Sequence, residues 1–233
     1  MKKLQKMGGI AALYLAAAYL IALVGYILVI GTLDVVDPVQ KVASLVDNQA
    51  ALYILNLIAY IVWGFFQAAL ALALYERLKG GSPAIMQAAT AIGLIWATVI
   101  IASGMISNYG MGIVVDLYST DPAQASTVWL AISSVADGLS AASGEILGGT
   151  WVLLVSLVAL RIGELPKVLN YFGVVISVAG LLSTIPALFL MLALVFGIGK
   201  IVWLIWLGIV MLRSIPSSVV DEPDALVPHH GTT

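Results

Sequence analysis

Three features of this sequence predict an all-α fold that crosses a membrane about six times, with both termini on the cytoplasmic side. The chain is 62% hydrophobic and only 9% charged, whereas soluble domains carry roughly a quarter charged residues. Its mean hydropathy is +1.09, and its apolar runs have the ~20-residue length that a bilayer core demands. Eight of its ten Lys and Arg residues fall where alternate connections of such a bundle would lie on one side. Spans of this kind fill 233 residues and leave no room for a separate soluble catalytic domain of ~100 residues. Any chemistry must take place in or at the membrane.

The first span, about residues 7–30, follows Lys2, Lys3 and Lys6, and the run from Ile10 to Ile30 exceeds the 7–15 apolar residues of a signal peptide, so it reads as a retained span. An acidic connection with Asp34, Asp37 and Asp47 leads to a second span at about 49–75. The turn from Glu76 to Pro83 closes that helix with Gly80-Gly81 and opens a third, about 83–107, with Pro in its first turn. Asn108 to Gln124, with Gly110, Gly112, Asp116 and the Asp121-Pro122 pair, reads as the longest loop. Residues 123–160 hold no strong breaker apart from glycines, yet one helix of that length would extend ~55 Å against a hydrocarbon core of ~30 Å. The expected division is an outer-face or re-entrant helix at 123–142 and a fourth span at about 143–160. A fifth span follows at about 167–186 and a sixth at about 194–213, completing a single transmembrane helical domain over 1–213. The polar stretch 214–233, with three acids and three prolines, is expected to be a disordered cytoplasmic tail.

Positive charge orients this arrangement, because Lys and Arg in short loops stay inside whereas Asp and Glu contribute little. Lys2, Lys3, Lys6, Arg77, Lys79, Arg161, Lys167 and Arg213 fall on one side, leaving Lys41 and Lys200 elsewhere. No repeat of fixed period relates the two halves, which disfavours an inverted-repeat transporter.

Two charges sit where lipid makes them costly. Glu145 lies sixteen residues before Arg161 and Lys200 thirteen before Arg213, placing them ~24 Å and ~20 Å above the inner boundary. An ionised group at that depth costs at least a few kcal/mol unless it faces the bundle interior, water or an opposite charge, so an ion pair between Glu145 and Lys200 is expected. Such a pair either fixes helix register or forms a proton or ligand site; in a third arrangement Lys200 snorkels to the interface and the two never meet. Asp137, eight residues before Glu145, shares its face if the helix is continuous, but its height puts it near or beyond the outer boundary, in a solvated position.

Ala136, Ser140, Gly144 and Gly148 recur every four residues and form a stripe on which a neighbouring helix can pack closely. Asn56 and Gln67 are candidates for hydrogen bonds between helices. Trp63, Trp96, Trp151, Trp203 and Trp206 read as packing groups, and Tyr109, Tyr118 and Trp129 as belt residues of the outer face. Several chemistries are excluded. With no cysteine, the chain has neither disulfides nor thiolate ligands. Its two histidines, His229 and His230, are adjacent in the tail, so no helical His pair or Ser/His/Asp set exists in the spans. No phosphate loop is present. Accordingly no catalytic residue, metal or cofactor is expected.

The strings ALALYERLKGGSP (71–83), GLIWATVIIASGMISNYG (93–110), SGEILGGTWVLLVSLVALR (143–161) and IVWLIWLGIVMLRS (201–214) resemble the multi-span bacterial and archaeal membrane proteins grouped as domain of unknown function 4386. The resemblance implies a multi-span protein of the cytoplasmic membrane and no established activity. Three functions then compete: an interaction or accessory protein, a small transporter or channel using Glu145, and an intramembrane enzyme acting on lipid with Glu145 as acid or base. The first leads, with the lipid bilayer, a membrane-protein partner or a second copy of the chain as its partners, and no nucleic acid.

Overall fold

The computed structural model describes residues 2–30, 37–142 and 144–213; the expectations for Asp34, for Ser143 and for the tail from residue 214, with His229 and His230, lie outside the described residues. Among the described residues every regular element is helical. In order these are α1 (Lys2–Ile30), α2 (Pro38–Asp47), α3 (Gln49–Asn56), α4 (Trp63–Leu78), α5 (Pro83–Tyr118), α6 (Pro122–Asp137), α7 (Gly149–Ile162), α8 (Lys167–Leu182) and α9 (Phe189–Arg213). A π turn, Leu57–Val62, joins α3 to α4, and two more, Gly138–Ala142 and Gly144–Gly148, lie between α6 and α7. Five helical stretches are long and apolar enough to cross a membrane, and the apolar α8 is shorter. The all-α polytopic membrane fold read from the sequence is therefore the observed one.

Six helices close into a ring in the order α1, α4, α5, α7, α8, α9, each packed on its two neighbours and α9 returning to α1. Connections of a few residues, such as 79–82 and 163–166, make neighbours antiparallel. Gly163, at φ 71, supplies the left-handed residue that ends α7. Lipid tails are as apolar as leucine, so close packing must hold such a ring together. The α1–α9 seam shows how. A Cβ added at Gly9 would lie 3.1 Å from the Gly208 carbonyl oxygen, and one at Gly208 would lie 3.0 Å from that of Gly9. The two backbones touch, and the Gln5 side-chain amide donates to the Met211 carbonyl at 3.1 Å on the same seam.

Four tryptophans fill the ring. Trp63 and Trp96 meet edge to face at 4.9 Å between centroids, Trp96 and Trp151 at 6.1 Å, and Trp151 and Trp203 at 6.0 Å. All four are buried, and glycines on facing helices seat three of them. Trp96 lies against Gly148, Trp151 against Gly93 and Trp203 against Gly173, each closer than a Cβ would allow. Gly148 thus acts as a tryptophan seat. Gly144, the neighbouring member of the expected stripe, would meet nothing within 4 Å, and the π turn that holds it shifts the four-residue spacing on which that stripe rested.

A smaller second core sits at the end of the ring where α1 finishes and α3 begins. Val42, Leu45, Leu52, Met111, Val114 and Ala125 unite α2, α3, the last turns of α5 and α6 into a cap. Here the expected loop 108–124 is corrected. Helix α5 has 36 residues, ~54 Å, and continues unbroken to Tyr118, so Asn108 is a helical residue. Gly110 favours a loop by composition, but in the fold it seats Ile132 of α6, and that packing holds the helix through it. Helix α6 runs back along α5 with α2 against both, which is where the chain places the expected outer-face or re-entrant stretch. Helix α8 stops at Leu182 rather than near 186, where Ser183 and Thr184 hydroxyls donate to the Gly180 and Leu181 carbonyls at 2.6 and 2.8 Å. Those bonds satisfy carbonyls that an ending helix exposes in lipid.

Candidate functional site

Two groups of polar side chains stand out among the described residues, one around a cavity between the two cores and one along the axis of the ring. The cavity, about 220 Å³, is lined by Tyr26, Asn56, Tyr60, Trp129, Lys41 and Asp137 among others. A hydrogen-bonded scaffold stands behind it. The Tyr26 hydroxyl donates to the Asn56 side-chain carbonyl, and the Asn56 amide donates to the Asn108 side-chain carbonyl at 2.8 Å. Asn108 donates in turn to the Tyr53 carbonyl at 3.4 Å. The chain of bonds ties α1, α3 and α5 together, and the Tyr60 hydroxyl adjoins those of Tyr26 and Ser140. Ser103 anchors the other wall by donating to the Ala136 carbonyl at 2.8 Å.

Two of the three π turns open at this cavity. One begins directly after Asn56 and the other directly after Asp137. A π turn inserts a residue without breaking the helix, re-aims the side chains around it and leaves its backbone bonds irregular. The Ile58 carbonyl inside the first turn accepts from the Tyr14 hydroxyl at 3.1 Å. Asp137 is exposed to the cavity from α6, and Lys41 is exposed to it from α2. Among the described residues neither forms an ion pair.

The ring axis holds the second group. Lys200 is buried, and its ammonium lies 4.4 Å from the centroid of the Tyr19 ring, 4.8 Å from Phe196 and 5.2 Å from Trp96. The expected ion pair with Glu145 is corrected in this respect: the two residues interact electrostatically but make no direct contact pair. Three ring faces, each presenting negative quadrupole density, take the place of the carboxylate. Glu145 instead lines a cleft of about 490 Å³ with Ser183, Thr184, Pro186 and Phe189, and its Oε2 is buried without a hydrogen-bond partner. Gln67 is fully buried, and neither atom of its amide is hydrogen-bonded.

This arrangement sets an expectation for a double-mutant cycle of Glu145→Gln and Lys200→Met. Coupling read from thermal unfolding in detergent should stay below ~1 kcal/mol, since no ion pair joins the two charges and aromatic faces already hold the ammonium. Lys200→Met alone should be near neutral, because an apolar chain of similar length replaces a buried charge. Coupling of ~3 kcal/mol would mean that the pair closes directly.

The sequence offered Asn56 and Asp137 as candidates but not Tyr26, Tyr60, Asn108 or Lys41. Tyrosine in an apolar run carries no signal of its own, and Asn108 was hidden by the neighbouring glycines. At the opposite end of the ring, the sequence marks Arg77 by its charge but carries no signal of its pairing with Glu164. The Arg77 guanidinium donates to the Glu164 backbone carbonyl at 2.8 Å and lies 3.6 Å from its carboxylate.

A ring of apolar helices with a small cap and a polar-lined cavity between them defines a multi-pass membrane protein. The chain belongs to the family defined by domain of unknown function 4386, whose family model matches residues 10–210. No curated protein and no solved structure matches it.

Proposed function

We propose that this protein is a membrane-embedded interaction or accessory protein of the cytoplasmic membrane, whose working part is the cavity between ring and cap. The observation that carries this proposal is that a satisfied Tyr26–Asn56–Asn108 scaffold lines the same cavity as Asp137 and Lys41, which form no ion pair among the described residues. Scaffolded hydrogen bonds hold a pocket in shape, and polar groups left over are the ones a ligand can use. The ring itself supports an anchoring role, since four tryptophans occupy its axis. A membrane-protein partner or a second copy of the chain belongs to the same proposal, as the receiver of whatever the cavity binds.

The distribution of Lys and Arg supports termini inside and the cavity outside. Because the chain has no cysteine, one introduced thiol reports its own side. An impermeant maleimide added to intact cells should label Thr120→Cys and miss Gly80→Cys; the reverse pattern would invert the orientation. Occupancy is tested by native mass spectrometry of protein purified in mild detergent. The parent should carry a small-molecule adduct that Ser133→Trp, which fills the cavity, lacks while unfolding at the same temperature. Identical spectra for the two would remove the cavity from the function.

One observation favours a transporter as second reading, namely the buried Glu145 Oε2 that has no hydrogen-bond partner among the described residues and lines a cleft. Proton flux in liposomes that Glu145→Gln abolishes would put this reading ahead.

A further inference from the structure

We infer that the cavity between ring and cap binds a small zwitterion, a primary ammonium joined through a short linker to a carboxylate or phosphate. This inference rests on the proposal that the cavity is a ligand site and adds the chemistry of what enters it.

Charge comes first. Asp137 and Lys41 reach one cavity from different helices, α6 and α2, and carry opposite signs, yet among the described residues no ion pair joins them. Two opposite charges lining one half-enclosed site offer an ammonium and an anion their complements at once. A ligand of one sign would leave the other residue facing its own charge. Aromatic groups then distinguish the two ends. Tyr26 and Tyr60 stand close enough to Asp137 to feel its field, and Trp129 lines the same space. Rings beside a carboxylate favour an organic ammonium over a hydrated metal ion, because ring faces attract the cation and do not replace a metal's oxygen ligands. Ser107 also lines the cavity and brings a hydroxyl that can donate to an anionic group.

Size narrows the class further. A space of about 220 Å³ has the volume of roughly seven water molecules. That is room for about five to ten heavy atoms, the range of a free amino acid or of a phosphoethanolamine group. The site lies at the end of the ring beneath the cap, so the same chemistry can arrive as a free solute or as the headgroup of a lipid.

The test uses the full chain in detergent, with binding read from thermal shift and calorimetry. Glycine, β-alanine and phosphoethanolamine should bind at least about tenfold more tightly than ethylamine, acetate or inorganic phosphate, which carry one of the two charges. Asp137→Asn and Lys41→Met should each weaken the zwitterion about tenfold or more and narrow its advantage over the matching single-charge probe. Both residues are exposed, so the variants should unfold with the parent. Nanodiscs of phosphatidylethanolamine against phosphatidylglycerol separate the sources: a headgroup ligand competes with phosphoethanolamine in the first and not in the second, whereas a free solute is indifferent to the lipid. Equal affinity for singly charged probes, or unchanged affinity in both variants, would overturn the zwitterion while leaving the cavity as a site. Absence of any binding, with Ser133→Trp and parent identical by mass spectrometry, would overturn both.

Discussion

Replacement of Trp96 by alanine should lower the unfolding free energy by about 3–5 kcal/mol, the range for removing a large buried aromatic. This residue is the hub of the ring. Its indole meets Trp63 and Trp151, seats on Gly148 and lies beneath the Lys200 ammonium, so the substitution strips contacts from α4, α7 and α9 together. The fold can relax only slightly, because the neighbours are themselves buried tryptophans, Trp151 held in the Gly93 notch. For a chain of this length the loss corresponds to about 2–4 °C per kcal/mol, so the midpoint in detergent should fall by about 6 °C or more. Trp206→Ala provides the comparison, since that residue is only partly buried and should cost clearly less. Equal losses for the two would show that the ring is not organised around its axis.

Glu164→Gln should be the second most damaging single change, by about 2–3 kcal/mol. The Arg77 side chain is 3% exposed and that of Glu164 is 13% exposed, so removing the carboxylate strands a guanidinium that water reaches poorly. Breaking a buried pair from one side costs ~3–5 kcal/mol, and the lower figure reflects the partly accessible loop and the Glu164 carbonyl bond, which survives the change. Arg77→Met tests the cause. It removes the charge itself and puts an apolar chain in its place, leaving Glu164 able to hydrate, so it should be milder than Glu164→Gln despite being the larger chemical change. If Arg77→Met proves the worse of the two in thermal unfolding, the guanidinium contributes through packing and its carbonyl bond, and its charge is incidental.

The fold class was legible because hydropathy is a local property. The lengths of the apolar runs, read one residue at a time, are enough to require helices in lipid, where every backbone group must find its bond within its own segment. Element boundaries were less legible. Gly110 and Gly112 imply a loop by propensity, and only Ile132, twenty-two residues away and packed into the Gly110 notch, reveals a helix there. The candidate site divides in the same way. Glu145, Lys200 and Asp137 are conspicuous because charge in an apolar run is costly wherever it ends up. Tyr26, Tyr60 and Asn108 are inconspicuous because their polar atoms matter only through partners on other helices.

The sequence by itself determined that this protein is all-helical, that it is built for a bilayer and that few of its groups can do chemistry, since those properties depend on what each residue costs in lipid. The tertiary structure alone decided that six helices close into a ring, that Lys200 rests on aromatic faces instead of a carboxylate, and that Asp137 and Lys41 share one cavity. Those are distances between residues remote in the chain, set by glycine notches and π turns whose effect exists only once the facing helix is in place.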